Sequence, residues 1–226
     1  MEQNETAVKP QRRYDATRRR EQARRTRVAV LEAAHRLFLE HGYAATTIAG
    51  IAQVAGVSVD TVYKSFGNKP GLVRAIRDHR LAGDGDLPTE QHSDRVREWE
   101  PDVAKVVAGW GRFTAEVMPR IAPILLLVRA AAATSAEMLA LQEELDDDRL
   151  TRMTHNAQHL VARDALRPGL TLEQARDVMW LYSSPELYER LVLHQGWTLP
   201  EYGRFVGDAL AAALLPPTAP RNDHQT

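Results

Sequence analysis

Between Ser58 and Lys69 the chain gathers, at helical spacing, side chains that can hydrogen-bond or carry charge and one that can make an apolar contact: Ser58, Val59, Asp60, Thr61, Tyr63, Lys64 and Ser65, then Lys69. On one short helix such a set can exchange hydrogen bonds with base edges, touch thymine methyl groups and grip phosphate oxygens. An aspartate there is repelled by phosphates unless it accepts from a cytosine amine. Catalytic chemistry has far less to work with. The absence of cysteine removes thiol nucleophiles, disulfides and thiolate-bound zinc, and neither a glycine-rich phosphate loop nor a GxSxG motif occurs. His155 and His159 stand at i, i+4, the spacing of a two-histidine metal site, with Asp146 to Asp148 just upstream. No HExxH accompanies them, and histidines so placed on a polar helix are most often solvated. The expectation is no catalytic residue, no metal and no cofactor. A helical metal-dependent enzyme and a ligand-free architectural DNA-binding protein are the alternatives.

The elements around that surface are legible from apolar spacing. Ile48, Ile51, Ala52 and Ala55 share one helical face, and Gly56 stops that helix because glycine enters the left-handed conformation without a Cβ penalty. Ser58 is placed to cap a second helix over Val59 to Phe66, buried through Val62 and Phe66. Two short helices joined in this way form a helix-turn-helix, which sets its second helix in DNA's major groove. A support helix is expected over Thr26 to His41, ending at Gly42. A fourth helix follows Asn68-Lys69-Pro70, with Leu72, Val73 and Ile76 inward and Arg74, Arg77 and Arg80 outward. Charge agrees with a polyanion partner. Residues 1–80 carry 15 Lys/Arg against 8 Asp/Glu and the remainder 14 against 22, so the overall net charge of −1 conceals a basic and an acidic part. The basic run before the first helix, including Arg24 and Arg25, reads either as a solvated tail or as an arm that follows phosphates or enters the minor groove.

The segment from Thr26 to Leu81 resembles the TetR/AcrR family of bacterial one-component transcriptional regulators. The resemblance is carried by Ala33-Ala34, Leu37-Phe38, Gly42-Tyr43, Thr46-Thr47, Ile51-Ala52, Ala55-Gly56-Val57-Ser58, Tyr63, Phe66, Lys69 and Leu72, in order and without gaps. It implies phosphate contacts from Thr47, Tyr63 and Lys69, base reading by the outward residues of the second helix, and a fourth helix that links two domains. Val59-Asp60 departs from the family, which more often has a basic residue or glycine there.

From Pro101 onward the pattern is helical with no alternation of period two, so the fold class is all-α: an N-terminal three-helix helix-turn-helix domain and a C-terminal helical domain. Helices are expected near 101–118, 120–133, 135–166, 171–182, 186–195 and 199–215. The expected organisation is a basic flexible arm at 1–23, a DNA-binding domain at 24–82, a linker at 83–100, an effector-binding and dimerisation domain at 101–216 and a tail at 217–226. The longest apolar run, Ile121 to Ala133, is interrupted by Arg129 and too short for a bilayer, so no membrane partner and a cytoplasmic location are expected. Leu172 to Leu215 resembles the family's dimer-forming helices. Leu187, Leu191, Phe205, Val206, Leu210 and Leu214 are the interface candidates, and they could equally form an internal core. Trp110, Phe113, Met118, Leu125, Met138, Met153, Trp180 and Tyr182 are spread over helices that would surround one interior. Such side chains are commonly plain core. The resemblance adds the reading of an apolar small-molecule pocket, with Arg129, His155 and His159 as its polar minority. Together these imply a homodimeric, ligand-responsive regulator, repression being the family's commoner habit, that holds a palindromic DNA operator and is released by a small, lipophilic effector.

Overall fold

A computed structural model describes residues 11–83 and 100–217, with side chains from Arg18 onward. Among the described residues all regular structure is helical: α1 (Gln11–Ala45), α2 (Ile48–Ala55), α3 (Val59–Phe66), α4 (Lys69–Ala82), α5 (Val103–Ala132), α6 (Ala136–Ala162), α7 (Leu172–Tyr182), α8 (Pro185–Tyr188) running into a π-helical turn (Glu189–His194), and α9 (Leu199–Leu214). The chain divides into two compact units at the Ile76–Arg77 bond. Residues 1–10, 84–99 and 218–226 of the expected arm, linker and tail lie outside the described residues.

In the N-terminal unit, α1 is longer than its apolar stripe predicts, because it begins at Gln11 rather than near Thr26. No Gly or Pro interrupts Gln11 to His41, and Glu21 pairs with Arg24 and Arg25 one turn on, at 3.2 and 3.1 Å. Such pairs support an exposed helix, so part of the segment expected to be a flexible arm is helical. Its break falls at Gly42 as expected, with φ 78° and ψ 169°. The buried Thr46 hydroxyl lies 3.0 Å from the Leu37 carbonyl and 2.8 Å from that of Gly42, tying the residues after the break back to α1. Val30, Leu31, Ala34 and Phe38 bury one face of α1, with Ile48, Ile51 and Ala52 of α2, Val62 of α3, and Leu72, Val73 and Ile76 of α4 also buried.

In the C-terminal unit the two helices expected near 101–118 and 120–133 form one helix, α5, which carries Pro119 and Pro123 inside it. Each proline removes a main-chain hydrogen bond. Continuity is retained because Val117, Met118, Ile121, Ala122 and Ile124 around them are all buried. The remaining helices fall within a few residues of their expected places, and their starts are fixed by capping. Thr171 with Gln174 and Thr198 with Glu201 form reciprocal capping boxes on α7 and α9. Hydrogen bonds from Thr198 hold the Glu201 carboxyl below its usual range.

The closest packing is between α5 and α9. A Cβ placed on Gly111 would stand 2.3 Å from the Gly203 carbonyl oxygen and 2.5 Å from the Gly207 nitrogen, so only glycine permits this approach. Tyr202, Gly203, Val206, Gly207, Leu210 and Leu214 form the buried face of α9. The Tyr202 ring meets Tyr188 edge-on at 5.7 Å, and burial pushes its phenol well above its ordinary value. Gly111→Ala is expected to force the two helices apart and destabilise the protein by about 1–3 kcal/mol. Gly207→Ala should cost less, since its Cβ would meet nothing nearer than 3.3 Å. Urea unfolding of both variants checks the order, and equal stabilities would refute the contact.

Candidate nucleic-acid interface and internal cavity

The helix-turn-helix is held together by groups that leave the outer face of α3 unobstructed. Thr47 caps α2, its hydroxyl accepting from the Gly50 N–H at 3.0 Å. Gly56 ends α2 in the left-handed conformation (φ 67°, ψ 33°), and the Val57 N–H reaches back to the Ala52 carbonyl at 3.0 Å. Ser58 caps α3, accepting from the Thr61 N–H at 3.1 Å, with its oxygen 2.8 Å from the Thr61 hydroxyl. Val62 is buried beneath the helix, while Arg27 of α1 covers Phe66 at 4.5 Å and donates to the Ser65 carbonyl at 3.1 Å. Val59, Asp60, Tyr63, Lys64 and Ser65 are exposed. Asp60 and Lys64 pair at 2.7 Å, so the carboxylate that departs from the family pattern carries its own counter-charge one turn away. Thr61 is half-buried in a shallow groove with Arg19, Gln22, Thr26, Arg27 and Ser65.

Lys69 is tethered. Its ammonium donates to the Thr46 carbonyl at 2.8 Å and lies 4.1 Å above the Tyr43 ring, and burial lowers its pKa below the ordinary lysine value. An ammonium has three donors, so this fastening leaves others for an external acceptor. Arg24 and Arg25 are exposed on α1 and share Glu21, whose carboxyl their hydrogen bonds hold below its usual range.

The C-terminal unit contains a cavity of about 160 Å³. Trp110, Phe113, Met118, Ile121 and Leu125 of α5 supply its apolar wall, joined by Met153 of α6, Met179 and Tyr182 of α7, and Val206 and Leu210 of α9. The lining also carries charge. Arg77 of α4 pairs with Asp148 of α6, Arg149 with Asp146, and Arg129 of α5 with Glu186 at 2.8 Å and with Glu189 at 3.3 Å. Arg149 also donates to the Trp180 carbonyl at 2.7 Å and lies 4.2 Å over the Trp180 ring.

Residues 30–76, which contain the capped helix-turn-helix and its support, match the model of a family described as bacterial regulatory proteins, tetR family. The family match thus rests on the helix-turn-helix segment. It is 40% identical over 86 residues to the HTH-type transcriptional regulator TtgR of Pseudomonas putida, a match spanning 38% of this chain and 38% of that protein. Over the whole fold it resembles native NalD, the secondary repressor of the MexAB-OprM multidrug efflux pump in Pseudomonas aeruginosa. That likeness has a TM-score of 0.67 at 20% identity and covers 86% of this chain and 98% of that one. A SmeT–triclosan complex is similar at TM-score 0.67 and 24% identity, covering 87% and 97%. The sequence match is therefore concentrated in part of the chain, and the structural likeness extends the fold to most of it.

The structure departs from several sequence-based expectations. Trp110, Phe113, Met118, Leu125, Arg129, Met153 and Tyr182 line one cavity, whereas Met138, His155, His159 and Trp180 are not part of its lining. Met138 is fully buried at the start of α6, His155 is exposed and His159 is half-buried. Trp180 turns its ring to Arg149 instead. No cluster of three His, Asp or Glu side chains able to hold a metal occurs among the described residues. Val206, Leu210 and Leu214, expected at a dimer interface, are buried inside the protomer, because the glycine contact seats their face of α9 on α5. Leu187 and Leu191 are half-buried and Phe205 is exposed, its ring edge-on to Trp197 at 5.4 Å. Arg77, expected to face outward, turns into the cavity wall.

Sequence reasoning missed Arg77, Asp146, Asp148 and Arg149 as cavity residues, although the acidic run itself was visible. Arg77 and Asp148 are far apart in sequence, so no local period links them. The i, i+3 spacing of Asp146 and Arg149 was the one available signal. Removing the α3 cap with Ser58→Ala is expected to lower stability by about 1 kcal/mol in urea unfolding. A smaller change than that of an ordinary exposed Ser→Ala would deny the cap its role.

Proposed function

We propose that this protein is a ligand-responsive transcriptional repressor that binds a palindromic DNA operator as a homodimer and is released by a small, lipophilic effector. The observation that carries the DNA reading is the outer face of α3. Helix caps, Val62 and the Arg27–Phe66 contact meet the structural needs of that helix from its ends and underside, leaving Val59, Tyr63, Lys64 and Ser65 exposed. Val59, Asp60, Thr61, Lys64 and Ser65 would then face base edges, while Thr47, Tyr63 and Lys69 take phosphates, with Arg24 and Arg25 adding charge along the backbone. The match of residues 30–76 to the TetR family and the regulator names borne by similar proteins support the same reading.

Dimerisation follows from the symmetry of a palindromic site, whose half-sites lie one helical turn or a multiple apart. The interface falls on apolar side chains that the fold leaves uncovered. Leu187, Leu191 and Phe205 remain candidates, and the exposed Leu181 and Leu193 join them. The effector site is the cavity of the C-terminal unit. SmeT has been solved with triclosan, a small molecule, and we extend that kind of occupancy to this chain. Release is a population shift: the effector lowers DNA affinity only to the degree that it prefers the conformation that binds DNA poorly. No described helix is long and apolar enough to cross a membrane.

Selection of bound duplexes from a random DNA pool tests the proposal and should enrich an inverted repeat. Thr61→Ala should then relax discrimination at one position of each half-site by about 1–3 kcal/mol. Tyr63→Ala should weaken specific and unspecific binding alike and reduce the salt slope. A pool without an enriched motif, from protein shown to be folded, would leave the architectural alternative standing and overturn the repressor.

A further inference from the structure

Two of the ion pairs in the cavity's charged wall bury the cation more than the anion. Arg77 and Arg149 keep 14% and 15% of their side-chain surface exposed, while their partners Asp148 and Asp146 keep 55% and 42%. All four line the cavity. At these two pairs the cation sits deep in the wall and the carboxylate toward water, whereas Arg129 is 44% exposed against 37% for Glu186.

Exchange of partners across such a wall is one-sided. An incoming anion can replace Asp148 on Arg77, or Asp146 on Arg149. The displaced carboxylate, already about half exposed, then completes its hydration, and the guanidinium keeps a counter-charge. A cation that drew Asp146 to itself would leave the buried Arg149 guanidinium without a carboxylate, which is the costly outcome, and one that drew Asp148 would leave Arg77 with Asp78 alone, at 3.1 Å. A neutral molecule gains from neither exchange. The planar guanidinium fork also matches the two oxygens of a carboxylate, adding geometric preference to charge. The lining also carries an apolar wall, with Trp110, Phe113 and Met118 on one helix. At about 160 Å³ it has the scale of an interior site that admits an aromatic ring without rearrangement.

We propose that this cavity selects anionic amphiphiles: molecules with a one- or two-ring apolar body and a carboxylate-type head that takes the place of Asp148 on Arg77 or of Asp146 on Arg149. The proposal rests on the effector reading of the cavity and adds its charge preference.

Calorimetric titration of the full-length protein with 2-naphthoate, 2-naphthamide and 2-naphthylmethylammonium tests it. These probes share a body and differ in charge. Naphthoate is expected to bind about tenfold or more tightly than either of the others. Arg77→Gln and Arg149→Gln should reduce that preference. Asp148→Asn and Asp146→Asn should strengthen naphthoate binding by removing the competing carboxylate, a gain that misfolding cannot imitate. Equal binding of all three, or tightest binding of the ammonium, would overturn the charge preference and leave the effector cavity standing. Binding of none would overturn the charge preference and the effector reading together.

Discussion

The contact on which the C-terminal unit depends is the meeting of Gly111 with Gly203 and Gly207. Helix pairs ordinarily keep their axes 8–10 Å apart, a distance set by the side chains between them. Here glycine on both helices lets main chain meet main chain, and a Cβ on Gly111 would fall within 2.3 Å of an opposing carbonyl oxygen. The approach carries Val206 and Leu210 into the interior, where they complete the apolar wall of the cavity with Trp110 and Phe113. It also decides which α9 residues remain available to another molecule: Phe205 is exposed, and Val206, Leu210 and Leu214 are not. The glycine contact thus shapes both the cavity and the surface left for association.

The N-terminal unit meets a different constraint. Helices of eight residues are too short to be stable alone, and α2 and α3 each have that length. Their stability comes from caps at Thr47, Gly56 and Ser58 and from burial of Ile48, Ile51, Ala52 and Val62. Lys69 fastens the start of α4 to the loop before α2 through the Thr46 carbonyl and the Tyr43 ring. With structural needs met by end groups and by one inward side chain, most of the outward residues of α3 are released from packing duty, which is what the proposed base-reading surface requires.

The two units were legible from sequence to different degrees, for a physical reason. The helix-turn-helix is specified locally. The left-handed glycine, the serine cap and the i, i+3, i+4 apolar stripe each lie within a few residues of what they control, and the expected span of α3 matches the structure. The C-terminal helices were also placed by their punctuation and stripes. An apolar stripe, however, states that a face is buried without stating against what, so the α9 face could be assigned to a partner chain when it seals the protomer. Likewise Pro119 and Pro123 signal interruption locally, while the burial that keeps α5 continuous is a tertiary effect. The ion pairs of the cavity wall were least legible, since Arg129 and Glu186 come from separate helices and charge carries no period.

That wall changes what the cavity can reward. A purely apolar pocket ranks ligands by buried area, and its affinities rise gradually with size. A wall of guanidinium–carboxylate pairs adds a term that depends on the sign of the ligand's charge, because an exchange must leave no buried cation uncompensated. Arg77 belongs to α4, the helix whose first half supplies Leu72, Val73 and Ile76 to the core of the N-terminal unit. A ligand that substitutes for Asp148 therefore alters the restraint on a residue of that helix, whereas one occupying only the apolar side leaves the restraint intact. In the proposed mechanism, two ligands of equal affinity would then differ in the conformation they favour, and only the difference between conformations can move an equilibrium.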